Sequence, residues 1–193
     1  MINLPDLGEN RIIVIEGIAG AGKDTIQSYL AEEYTKKGYL VYSFSEDELL
    51  FSWKHAWMKG IEEMRLDFMN YILDYCEKTL KENQKVVFIL NRFHVSFSIL
   101  AKFMDENISR RYNQLIERIK SMPVYVCVPT LEKHQIEARS SHKERKEKAW
   151  TAHQQKRLET RGFNNLTEMY VWEQNQVLKL LKEQGIPYSL LKI

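Results

Sequence analysis

Residues 11–25 read RIIVIEGIAGAGKDT, and the change of character along this stretch decides the fold. Residues 11–16 are apolar and β-branched, which suits a strand buried on both faces, as in parallel sheets. Gly17, Gly20 and Gly22 interrupt the run, and residues 24–37 then follow a helical period that stops at Gly38. From Gly17 to Thr25 the spacing is G-x-x-x-x-G-K with a hydroxyl residue close behind, placed between a strand and a helix. Such a loop turns the N–H groups of Gly17, Ile18, Ala19, Gly20, Ala21 and Gly22 inward onto phosphates. The helix N-terminus adds positive potential, and Lys23 reaches the β- and γ-phosphates. A glycine turn that served packing alone would have no need of the lysine.

Outward from this loop, residues 39–44 (YLVYSF) form a second strand, so strand, helix and strand make a βαβ unit with a right-handed crossover. Residues 52–83 are helical by period, and 85–90 (KVVFIL) read as a third strand. Helices are expected over 95–104 and 109–122, ended by Pro123, followed by a strand at 124–128 (VYVCV). A helix opens at 130–138, another runs over 166–184, and 188–193 (YSLLKI) close as a fifth strand. The alternation predicts a doubly wound, three-layer α/β/α architecture with a five-stranded parallel sheet, built as one domain over residues 1–193.

Composition narrows the function classes. No apolar run approaches the roughly 20 residues needed to cross a bilayer, and the N-terminus lacks a basic segment followed by an apolar one. Cys76 and Cys127 sit in apolar stretches without metal-ligand spacing, so buried, reduced thiols and a cytoplasmic location are expected. A net charge of +2 is too small to imply a nucleic-acid polymer as partner. Its distribution is uneven: residues 139–161 hold eight Lys or Arg against three Glu. That segment should meet something anionic.

One position departs from the usual phosphate-loop pattern. Asp24 stands where a Mg²⁺-ligating Ser or Thr follows the lysine, leaving Thr25 as the metal hydroxyl. Asp24 either turns away to cap the helix or lies close to the cation. At the end of the third strand stand Asn91 and Arg92, and Arg92 is expected to face the loop, since ligands bind beyond the carboxyl ends of such strands.

With the loop and the segment 91–96 (NRFHVS) together, the chain resembles the thymidylate kinase and deoxynucleoside kinase group, whose corresponding segments read DRYxxS and ERSxxS. The resemblance implies a P-loop kinase fold, ATP as donor, Mg²⁺ as cofactor, and a possible homodimer. It gives Arg92 contact with the acceptor, and makes residues 139–161 a helical basic lid in which Arg139 and Arg145 neutralise the transferring phosphoryl group. Asn91 replaces the carboxylate and cannot act as a base. A phosphate acceptor hardly needs one, which favours a nucleoside monophosphate. Glu46, at the end of the second strand, stands where deoxynucleoside kinases place their base, and Ala19 also tilts toward that group. Asp47 and Glu48 beside it read equally well as a solvated turn.

Phe68 and Tyr71 could stack on an acceptor base, or belong to core or interface; Trp53, His55 and Trp57 invite the same two readings. His142 and Lys143 join the lid, while His94 and His153 read as surface or hydrogen-bonding residues. A regulatory module that holds nucleotide without an acceptor is the competing class. So is a kinase for another small molecule, because acceptor loops vary freely on one fold.

Overall fold

The computed structural model describes residues 8–50, 58–101, 104–140 and 148–192. Five parallel strands, β1 (Ile12–Ile15), β2 (Leu40–Phe44), β3 (Val86–Asn91), β4 (Val124–Thr130) and β5 (Tyr188–Lys192), lie in the order β2-β3-β1-β4-β5. The chain builds outward from β1 to one edge, returns, and continues to the other. Both neighbours of β1 therefore diverge at its carboxyl end, which opens a crevice there.

The period of two along β1 sorts its side chains into two layers. Ile12 and Val14 join Val86, Phe88 and Leu90 in a core shared with α3 (Ile61–Glu82), α5 (Glu106–Lys120) and α8 (Leu166–Gln184). Ile13 and Ile15 join Val87 and Ile89 against Ile26, Leu30 and Tyr34 of α1 (Lys23–Lys36). Each fully buried side chain of this size contributes about 1.5–3 kcal/mol, so both faces of the sheet are firmly covered. A third cluster, with Ile18, Ala21, Ile136, Leu158, Met169 and Tyr170, packs the phosphate loop against α6 (Lys133–Ser140), α7 (Lys148–Arg161) and α8. The cysteines are free and buried as expected, their thiols pushed up to about 12 by burial.

Two local expectations differ from the structure. The acids at 46–48 are not a loose turn: they open a short helix, α2 (Glu46–Leu50), where Ser45 and Glu48 form a capping box. The basic segment is helical as expected, over Lys148–Arg161. The helix after β3, α4, spans only His94–Leu100, and of the two readings of His94 the surface one does not hold, since the residue is fully buried. No described helix is long and apolar enough to cross a membrane.

Candidate functional site

The loop after β1 is built by two glycine requirements. At Gly17 a side chain would press a Cβ to 3.2 Å from the Pro129 carbonyl of β4, and at Gly22 the backbone is left-handed, with φ 77°. The loop closes on itself through the Ala21 amide, which donates to the Ile18 carbonyl at 3.3 Å. Lys23 arches back over it, donating from Nζ to the Ile18 carbonyl at 3.1 Å. Burial and the charge of Arg92 lower the Lys23 pKa to about 8. Arg139, from the last turn of α6, donates to the Gly20 carbonyl at 2.9 Å and so lies directly on the loop.

Arg92 is buried at the end of β3 in a left-handed conformation, φ 65°, an uncommon backbone state for a side chain of this size. Its Nε lies 2.8 Å from Glu46 Oε2, and that same oxygen is 4.0 Å from Lys23 Nζ. Partial desolvation would raise the Glu46 carboxyl, but the charges of Arg92, Lys23 and Arg157 outweigh it and hold the group ionised, below the ordinary carboxylate range. Lys23, Arg92 and Glu46 are thus brought together from α1, β3 and α2. The ion pair occupies Nε, and among the described residues no hydrogen bond engages the two terminal nitrogens of Arg92.

Glu16 fixes this geometry from below. Fully buried at the end of β1, it accepts from the Phe93 amide at 2.9 Å, the Val95 amide at 3.0 Å, and the Ser96 amide and hydroxyl. Burial raises its pKa against the opposing effect of these bonds and of Arg92. It ties the segment after Arg92 to the strand that launches the phosphate loop. Sequence reasoning passed over Glu16 as the end of a strand; an acid closing an otherwise apolar run was the available signal.

The lid reading shifts within its own segment. Arg157 of α7 is buried, paired with Glu173 of α8 and bonded to Gln154 at 2.9 Å, and its charge also acts on Glu46. Arg161 lies 3.3 Å from Glu173, donates to the Ile99 carbonyl and stacks on Trp172. These arginines were invisible individually because the whole segment is basic. A narrow cleft lined by Gly17, Ile18, Arg92, Ser96, Ile99, Glu173 and Val177 runs between loop and α8. Arg145, His142, Lys143, Trp53, His55 and Trp57 lie outside the described residues.

Asp24 does not cap its helix. Gly22 occupies the cap position and no side chain bonds there; the Asp24 carboxylate instead accepts from Asn91 Nδ2 at 2.6 Å. The same nitrogen donates to Gln27 Oε1 at 2.8 Å, and Gln27 Nε2 donates to Ser43 Oγ and the Phe44 carbonyl. Asn91 Oδ1 is buried without a partner. Asp24 and Thr25 are exposed at the mouth of the loop. Phe68 is half-buried against the core beneath β3, and Tyr71 is 65 % exposed with its ring on Phe68.

Solved structures share this fold. Thymidylate kinase from Candida albicans superimposes with a TM-score of 0.53 at 14 % identity, over 95 % of this chain and 84 % of that one. The fold is that of the thymidylate kinases. Thymidylate kinase from Ehrlichia chaffeensis gives a TM-score of 0.51 at 14 % identity, over 94 % and 86 % of the two chains. The YorR protein of Bacillus subtilis, solved with phosphorylated GDP, gives 0.52 at 17 % identity, over 93 % and 84 %. No protein-family model and no curated protein matches the chain, so the thymidylate kinase likeness is one of fold.

Proposed function

We propose that this protein is a kinase that transfers the γ-phosphoryl group of ATP to a nucleoside monophosphate. The observation that carries the reading is the convergence of Lys23, Arg92 and Arg139 around the phosphate loop, with Arg92 held by Glu46 through Nε alone. A donor triphosphate would lie in the loop under Lys23, and the terminal nitrogens of Arg92 would present a planar fork to the acceptor phosphate. Phosphoryl transfer requires positioning and charge neutralisation more than covalent chemistry, and these cations supply both. Arg157 adds positive potential from α7, and Arg145 belongs to the same basic segment.

Mg²⁺ fits the donor set. Among the described residues no group of three or more His, Cys, Asp or Glu side chains could hold a metal ion. Mg²⁺ in kinases characteristically takes one or two carboxylates and completes its shell with phosphate oxygens and water. Asp24 and Thr25, exposed beside the loop, would hold it, and the cation would neutralise charge between the phosphates. Phe68 and Tyr71 are proposed as acceptor-side aromatics, reached from α3.

A second acceptor, a nucleoside hydroxyl, is favoured by one specific observation. Glu46 is an ionised carboxylate 4.0 Å from the phosphate lysine, where a base would take the hydroxyl proton. ATP turnover measured across nucleosides and their 5′-monophosphates, with Lys23→Ala as control, separates the readings. Stimulation by a monophosphate supports the first and stimulation by a nucleoside the second. No stimulation above the control by either class would leave a nucleotide-holding module without an acceptor.

A further inference from the structure

We infer that two departures, Asp24 in the phosphate loop and Asn91 in place of a carboxylate at the end of β3, are one exchange, in which Asp24 is the protein's carboxylate for the divalent cation and Asn91 is the residue that aims it. The inference rests on the nucleotide-binding reading of the loop. Asp24 follows Lys23 in the first turn of α1, and one of its oxygens accepts from Asn91 Nδ2 at 2.6 Å across the gap between helix and sheet. The rest of the carboxylate is exposed at the loop mouth, beside Thr25.

The chemistry of position 91 is dictated by this contact. An aspartate there would set two carboxylates against each other at hydrogen-bond distance, and they could not both stay ionised. Asparagine supplies a donor instead. Its amide is further oriented by the second bond, to Gln27 Oε1 at 2.8 Å, and Gln27 is itself tied to Ser43 and Phe44 at the end of β2. Reversing the Asn91 amide would put its carbonyl against both Asp24 and Gln27 oxygens, so the orientation is unique. The cost is the stranded Asn91 Oδ1, fully buried with no partner. Native proteins seldom leave such an atom, and leaving it here is consistent with an amide retained for what its nitrogen does.

The arrangement keeps a single negative side chain at the cation position but moves it from the strand to the helix. Without a cation, Asp24 faces the phosphates as a like charge and opposes nucleotide binding. With one, the carboxylate becomes a ligand, so the site should hold metal-nucleotide far better than free nucleotide. Gln27 and Asn91 act behind the ligand, as positioning residues.

The test is the ratio of ADP affinities with and without Mn²⁺, measured by calorimetry, with bound Mn²⁺ followed independently by electron paramagnetic resonance. Wild type should show a ratio well above one and a Mn²⁺ signal changed by ADP. Asp24→Asn should lower the ratio at least about tenfold, and Asn91→Leu should lower it by about tenfold or more through misorientation. Because each ratio is internal to one variant, a general loss of fold cancels. Asp24→Asn retaining the wild-type ratio would overturn the inference, and Asn91→Leu retaining it would overturn the positioning role. If wild type binds ADP no better than Lys23→Ala, the nucleotide reading itself fails and the inference falls with it.

Discussion

Arg92 and Glu46 meet with 2.8 Å between Nε and Oε2, joining the end of β3 to the first turn of α2 directly beside the phosphate lysine. The pair can serve either to aim Arg92 at an acceptor phosphate or to present Glu46 to an acceptor hydroxyl. Glu46→Gln keeps the shape and removes the charge. For a monophosphate acceptor, kcat should fall by about tenfold or less, whereas a hydroxyl acceptor should lose about 10²–10⁴-fold. Steady-state kinetics with both acceptor classes reads the difference.

Lys23 should be held at a cost to the empty protein. Its pKa of about 8, lowered by burial and Arg92, lies below the ordinary lysine value. The unfolded chain therefore binds this proton more tightly, and stability contributed by the site falls as pH drops from about 10.5 to 8 and stays low beneath that. Lys23→Met should raise the stability of the nucleotide-free protein by about 1–2 kcal/mol at pH 7, after loss of the bond to Ile18. Thermal unfolding checks this. In wild type, ADP affinity should be full below pH 8 and weaken above it as the lysine loses its proton.

Glu16 carries the segment after Arg92 on one side chain. Glu16→Ala would strand the Phe93, Val95 and Ser96 amides in the interior and should cost about 3–5 kcal/mol. Glu16→Gln keeps an acceptor for the amides, and Ser96 can rotate to accept; it should cost about 1 kcal/mol. Denaturant unfolding of the two variants distinguishes an acceptor requirement from a charge requirement.

His94 gives a pH signature remote from the loop. Burial lowers its pKa to about 3, so the folded protein keeps it neutral while the unfolded chain protonates near pH 6.5. Its contribution is unaffected above that value and is lost as pH falls toward 3. At pH 5 the loss should be about 2 kcal/mol. His94→Asn should show a shallower decline between pH 7 and pH 5 in parallel denaturant titrations, the carboxylates being common to both proteins.

The layout of the sheet was legible because it depends on runs that report burial directly. Ile12 to Ile15 and Val86 to Leu90 are apolar at every position, and in a parallel sheet with two covered faces nothing else fits. The loop was legible for a different reason: Gly17, Gly22 and Lys23 are fixed by backbone geometry and phosphate charge. Pairings across the site were not. Asn91 and Asp24 stand 67 residues apart, and either alone reads as a defect in a motif. Arg157 is separated from its neighbours in the basic segment only by where α7 lands on α8. Ser45 and Glu48 were readable as a capping box, and α2 could have been expected from them.

The central claim is that phosphoryl transfer needs Arg92 as the acceptor half of a site whose donor half is the Lys23 loop. It is tested most directly by following label from γ-³²P-ATP onto nucleosides and nucleoside monophosphates in wild type, Lys23→Ala and Arg92→Ala. The expected result is transfer by wild type to a monophosphate, loss of nucleotide binding in Lys23→Ala, and a fall of about 10³-fold in kcat for Arg92→Ala with MgATP affinity nearly kept. Undiminished transfer in Arg92→Ala, or no labelled product from any acceptor with the wild-type protein, would contradict the account.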